Sequence, residues 1–391
     1  MILLSGGTVY TPLQEHPQTS VAIKGGRIAS VAPDAELTGL ADAAETIDVS
    51  GCIVCPGFID MHVHGALGAS FSTHSVEDVH KICAYRAETG TTGLLATVGT
   101  AAWEHTVGAL ETLVEAAVHP TGTRLLGVHM EGPYLSPERP GAMRIPLMRE
   151  PSVNEVAALQ DVAQGMIKSM TLAPEREGGL ELVAYLAKHD IIPSIGHSDA
   201  TFEEVAAAVR SGVRQATHTF NAMRPLHHRD PGTVGGVMAH AEITAELIGD
   251  GAHVDPQVGR LLIAAKGWER VALVTDGVEF SGLPAGRYER ASGVAVTVSE
   301  VLATRNDGTI TGSSSAMNRN VRVYVEAGIP LPHVLAMASY VPARQLGLSD
   351  RKGIIQAGAD ADIAVLSQDF RVMLTVIGGE IVHRAPEFSS S

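Results

Sequence analysis

His62 and His64 are separated by one residue, which on a strand points both imidazoles from the same face towards one ion. Further along, Glu131 closes the stretch Gly127-Val128-His129-Met130-Glu131 before a Gly132-Pro133 break, and His197 stands between Gly196 and Ser198. His218 lies in Thr217-His218-Thr219-Phe220-Asn221, and Asp276 lies in Thr275-Asp276-Gly277. Taken singly, a strand-end histidine is usually a partly exposed polar cap and an aspartate before glycine a turn residue. Together they form a set of imidazoles and carboxylates that suits zinc or a similar divalent metal.

Such side chains converge only if the elements carrying them end in one place. Eight short apolar runs, each followed by a polar tip and a helical stretch, are legible: Ile53 to His64, Gly93 to Gly99, Arg124 to Glu131, Ile167 to Ala173, Ile191 to His197, Gln215 to Asn221, Thr244 to His253 and Val271 to Asp276. Thr201 with Glu204 reads as a capping box, and Ser75 precedes acidic Glu77 and Asp78 in another first turn. Eight β/α units predict a (β/α)8 barrel of α/β class. A doubly wound open sheet shows the same alternation, but it scatters polar tips that a barrel gathers at the C-terminal mouth of its strands. Around this middle, Val21 to Val31 reads as a hairpin over Gly25-Gly26, and Asp362 to Leu366 and Thr375 to Val382 read as strands. Residues 1–55 together with 353–391 are therefore expected to form a small β-sandwich domain, with 56–352 as the barrel.

The composition narrows the function further. Hydrophobic residues make up 45% of the 391 positions, enough for a large core, while 4% aromatic content argues against a base-stacking surface. A formal net charge of -15 disfavours nucleic acids and anionic membranes as partners. A small anionic substrate needs only a local basic pocket. Three cysteines, Cys52, Cys55 and Cys83, cannot build a disulfide framework and fit a reducing compartment; the Cys52–Cys55 pair reads as core, with redox chemistry as the alternative. The start Met1-Ile2-Leu3-Leu4 lacks a signal-peptide pattern, so a cytoplasmic location is expected.

The stretches Pro56 to Gly65, His129 to Pro133 and Gly196-His197-Ser198 resemble the amidohydrolase superfamily. Within it, Thr217 to Met223, Asp250-Gly251-Ala252-His253, Thr275-Asp276, Arg229-Asp230-Pro231-Gly232 and Gly308 to Ser313 are similar to the N-acetylglucosamine-6-phosphate deacetylases. The resemblance implies that Glu131, His197 and His218 hold the main metal, most simply zinc, and that His62 and His64 belong to the branch able to hold a second ion. Asp276 would be the catalytic base at the metal. The resemblance further implies substrate contacts from Ala142, Asn221, Ala222, His253, Ile310, Thr311 and Gly312, with Arg229 on the phosphate of an amino-sugar phosphate, and a homodimer. Two positions depart from the pattern. Met143 stands where the family usually carries a histidine that polarises the acetyl carbonyl, and a thioether donates no hydrogen bond. Arg144, His227 or His228 could take over that role. Gly277 replaces a more common alanine, a change expected to alter only loop freedom. The competing expectations are an amidohydrolase for another N-acyl sugar, such as N-acetylgalactosamine 6-phosphate, or for an N-acyl amino acid, and a barrel that binds without catalysis.

Overall fold

The computed structural model describes residues 1–37, 45–290, 293–386 and 388. Its central sheet has eight strands: Phe58–Val63, Thr91–Gly99, Arg124–Glu131, Ile167–Leu172, Ile192–Ile195, Gln215–Ala216, Thr244–Ile248 and Val271–Val274. Each pairs in parallel with the next, in chain order. Past its last strand the chain returns to the first: Val63 bridges Gly277 in parallel, and the Asp276 N–H donates to the His62 carbonyl at 2.9 Å. The sheet thus closes on itself, which makes it a barrel and excludes the doubly wound alternative.

Helices separate successive strands, beginning with Val76–Glu88 and Trp103–Val118. Their starts are encoded locally as expected: Ser75 caps by accepting from the Asp78 N–H, and Thr201 with Glu204 forms the full capping box. Two of the expected runs are resolved differently. Ile53 to His64 is two strands, because Ile53–Pro56 pairs with Ile2–Tyr10 and Ile363–Leu366 in another sheet before the chain enters the barrel at Phe58. The Gln215 to Asn221 run forms only a two-residue strand, because left-handed backbone at His218, Phe220 and Ala222 turns the chain inward over the mouth.

The small sheet is drawn from both termini, Ile2–Tyr10 through Ile53–Pro56 on one side and Ile363–Leu366 through Glu380–Arg384 on the other, and it has its own apolar core. Glu15–Lys24 and Arg27–Pro33 make the expected hairpin, with Lys24 opposite Arg27. Gly25 and Gly26 sit at φ 59° and 78°, the two positive values that a two-residue turn of this hand requires. Cys52, Cys55 and Cys83 are all buried and unpaired, and burial pushes the Cys83 thiol up to about 12, so these residues serve as core.

One element was not legible beforehand. After the eighth strand, Gly286–Glu289, Ala295–Val298, Leu302–Arg305 and Ile310–Ser313 form an antiparallel sheet before the helix Met317–Glu326. It is pinned to the barrel mouth through Ser313, whose N–H donates to the Asp276 carbonyl at 3.0 Å and whose carbonyl accepts from Val278 at 2.9 Å. Among the described residues no helix is long and apolar enough to cross a membrane.

Candidate metal centre and active site

The strand ends bring six expected ligands into one buried cluster. Glu131 Oε1, His197 Nε2 and His218 Nε2 lie 3.1 Å from one another. His62 Nε2 and His64 Nε2 are 3.3 Å apart, and Asp276 Oδ1 is 3.5 Å from the former and 3.3 Å from the latter. Glu131 joins the two groups, since its Oε2 is 3.3 Å from His64 Nε2. Local backbone strain supports this convergence: His197, His218 and Asp276 are all at positive φ, which non-glycine residues adopt at a cost of ~1–3 kcal/mol and which persists where surrounding packing enforces it.

Two of the imidazoles are oriented from behind. His197 Nδ1 is 3.0 Å from the Arg139 carbonyl, so its proton sits there and the Nε2 lone pair faces the cluster. His62 Nδ1 is 3.1 Å from Glu246 Oε2. Glu246, fully buried on the seventh strand, also accepts from the His218 N–H at 3.1 Å and from Gln215 at 2.7 Å. Sequence reasoning missed it, although a lone carboxylate inside the apolar stretch Thr-Ala-Glu-Leu-Ile was the available signal. Asp60 was missed too: it is buried below the first strand's end and accepts from the Thr275 hydroxyl at 2.5 Å and the Thr275 N–H at 3.2 Å, fixing the residue before Asp276. His129, quoted only as part of a motif, is a buried neutral imidazole between the hydroxyls of Thr97 at 3.2 Å and Thr171 at 2.7 Å, its pKa lowered by burial and by the neighbouring His62.

The electrostatics are those of a cation site. Burial alone would lower the His62 and His64 pKa values, but the surrounding carboxylates outweigh it and push them up to about 9 and about 10. Burial would likewise raise Glu131 and Asp276, yet the imidazoles around them hold both carboxyls well below their usual range. Glu131 Oε2 and His218 Nδ1 are buried without a hydrogen-bond partner among the described residues. Three lone-pair atoms within 3.1 Å of one another and a carboxylate oxygen left unsatisfied fit a divalent ion, and two groups able to hold one are present, Glu131/His197/His218 and His62/His64/Asp276.

The sequence of residues 53–382 matches the model of the Amidohydrolase family. The chain belongs to this family. It is 37% identical over 342 residues to the N-acetylglucosamine-6-phosphate deacetylase of Bacillus subtilis, covering 86% of each chain. It is 32% identical to the N-acetylgalactosamine-6-phosphate deacetylase of Escherichia coli O157:H7, covering 88% of this chain and 92% of that one. A mutant N-acetyl-D-glucosamine-6-phosphate deacetylase of Mycobacterium smegmatis, solved in complex with N-acetyl-D-glucosamine-6-phosphate, superposes with a TM-score of 0.90 at 31% identity, covering 97% of this chain and 99% of that one. As an amidohydrolase, the chain carries its ligand cluster at the C-terminal mouth of the barrel strands.

The remaining expected residues are placed unevenly. Ala142 and Thr311 line the cavity that His64 enters. Asn221 and Ala222 follow His218 directly, and Asn221 Nδ2 donates to the His218 carbonyl at 3.1 Å. His253 is held 2.7 Å from buried Asp250. Gly312 lies under the Asp276 turn, where a Cβ would meet Val278 Cγ1 at 2.2 Å, and Ile310 is exposed at the sheet edge. Arg229 is exposed; its guanidinium reaches His228 Nε2 at 2.7 Å and makes no hydrogen bond to the cluster.

Gly277 has a different role from the loop freedom expected of it. Its φ is not in the positive region, and the space a side chain would take is filled: a Cβ would stand 2.2 Å from Nη2 of Arg86, a fully buried arginine that donates to the Gly65 carbonyl at 2.5 Å. Gly277→Ala should therefore cost ~1–3 kcal/mol of stability through overpacking. Urea unfolding of the two proteins measures this, and equal midpoints would show that Arg86 yields freely.

Proposed function

We propose that this amidohydrolase removes the acetyl group from N-acetylglucosamine 6-phosphate, giving glucosamine 6-phosphate and acetate. The observation that carries the reading is the convergence of Asp276 with Glu131, His197 and His218 at the barrel mouth, in a chain similar along most of its length to deacetylases of this class. Glu131, His197 and His218 would hold a zinc ion, with His62 and His64 available to a second. Such an ion supplies Lewis acidity that polarises the amide carbonyl and acidifies water. Asp276, deprotonated at neutral pH because its carboxyl is held low, takes the proton of the attacking water and returns it to the departing amine nitrogen. Asn221 and the Ala222 backbone hold the sugar beside His218. His253 and Arg229 neutralise the phosphate. Arg229's exposure fits a homodimer in which that loop serves a neighbouring subunit's site, and three unpaired thiols fit a cytoplasmic enzyme.

Release of acetate from N-acetylglucosamine 6-phosphate tests the reading, run beside the unphosphorylated sugar and the galacto epimer with metal-replete and chelated protein. Metal-dependent turnover of the phosphorylated glucosamine derivative is expected. Hydrolysis of the unphosphorylated sugar at equal kcat/KM would remove the phosphate roles, and no hydrolysis of any of the three would overturn the assignment.

His253 gives the phosphate site a pH signature. Burial lowers its pKa, but the hydrogen bond and charge of Asp250 outweigh this and raise it above the ordinary 6.5. The imidazolium is thus fully present below that value and lost as pH rises through the raised pKa. KM for the phosphorylated substrate should climb by about tenfold across that loss, the scale of one charged hydrogen bond. His253→Asn should give a KM that is high throughout and flat with pH; a wild-type KM at about pH 6 no lower than that of His253→Asn would exclude the imidazolium.

A further inference from the structure

Beside the ligand cluster the barrel mouth opens into a cavity of about 810 Å3 whose lining includes His64, Gly99, Met143, Arg144, Arg290 and Arg305. An acetyl group would leave most of it empty. Gly99 keeps the entrance open, since a Cβ there would lie 3.7 Å from Met143 Cε and 3.9 Å from His64 Cε1. The cavity lining carries three arginines. Arg290 lies 3.2 Å from Glu279 and donates to the Thr311 carbonyl at 3.0 Å, so its charge is answered. Arg305 donates to the Ala142 carbonyl at 3.2 Å but leaves its Nε buried without a hydrogen-bond partner among the described residues. Arg144 is exposed, and the one carboxylate that lines the cavity with it, Glu279, is the partner of Arg290. Three guanidiniums against one lining carboxylate, Glu279, leave the cavity with a surplus of positive charge, which in a protein with net charge -15 attracts an anion.

The residues given to the phosphate above, His253 and Arg229, do not line this cavity. The loop that carries Met143 spans the mouth: a Cβ on Gly141 would meet His197 at 3.1 Å and Ala222 at 3.4 Å on the sugar side, whereas Met143 and Arg144 border the cavity beyond His64. That leaves the cationic cavity to the acyl group. We propose that this acyl pocket takes an N-acyl chain longer than acetyl that ends in a carboxylate, the half-amide of a short dicarboxylic acid, with Arg305 and Arg144 binding the terminal carboxylate. The proposal rests on the amino-sugar reading above for the other half of the substrate. The chemistry is unchanged: the oxygen of water bonds to the amide carbon, the C–N bond breaks, the nitrogen takes a proton, and a dicarboxylate leaves in place of acetate.

The test compares kcat/KM for N-succinylglucosamine 6-phosphate with that for its N-succinamoyl analogue, which has the same length and no charge. The succinyl compound should be preferred by at least about tenfold, the scale of a charge-assisted hydrogen bond. Arg305→Gln combined with Arg144→Gln should bring that ratio close to one, a readout that a general loss of activity does not move. Equal kcat/KM in the wild type, or a preference that survives both substitutions, overturns the proposal. So does a double variant that loses its discrimination between N-acetylglucosamine 6-phosphate and the unphosphorylated sugar, because the cavity would then be the phosphate site. Turnover of the acetyl substrate without succinyl preference sinks this inference alone. If no sugar phosphate is hydrolysed, the amino-sugar reading fails, and calorimetry of succinate against succinamate decides the pocket: tighter succinate binding, lost in Arg305→Gln, supports it, and equal affinity overturns it.

Discussion

Asp276→Asn is expected to lower kcat by about 100- to 10,000-fold, the range that a positioned general acid–base group contributes. Asparagine keeps the shape of the side chain and tolerates the φ of 48° at this position, and the backbone N–H can still donate to the His62 carbonyl. What it loses is the ability to take a proton. The Glu131, His197 and His218 group lies outside the substitution, so one divalent ion per chain should remain by elemental analysis, with little change in KM. The loss should be in kcat, because the group acts on the transition state more than on the bound substrate. A kcat within about threefold of the wild type would remove Asp276 from the role assigned to it.

Chelation should abolish turnover and also lower the unfolding temperature, and the second effect is independent of any substrate. An ion that binds the folded chain at about 1,000 times its Kd contributes ~4 kcal/mol. The cluster explains why the metal-free chain is the weaker one: Glu131 and Asp276 are buried carboxylates, and Glu131 Oε2 has no hydrogen-bond partner among the described residues. Calorimetric scans of replete and chelated protein, with zinc restored in a third sample, measure the difference. Superimposable scans together with unchanged acetate release would exclude a metal at this site.

The barrel and the six side chains that converge at its mouth were legible in the sequence because their signals are local. A strand's two-residue period puts His62 and His64 on one face, the Gly-Pro after Glu131 ends its strand, and the Thr201–Glu204 capping box starts a helix within four residues. The antiparallel excursion over residues 286–313 was not legible, since its strands are four residues each, too short for alternation to stand out. The split of the first run at Gly57 escaped for a related reason: apolar residues continue across the change of sheet, and only the pairing partners differ.

The sequence by itself determined which groups are available and at which strand ends they stand. Tertiary structure decided what holds them and what lies beside them. Glu246 orients His62 from 184 residues away, and Asp60 fixes Thr275 across 215. Arg86 occupies the space beside Gly277, and Arg144 meets Arg290 and Arg305 in one cavity. These partnerships depend on strand register and on the closure of the barrel, which bring distant residues together, whereas residue spacing along the chain reports only neighbours within a turn or a strand.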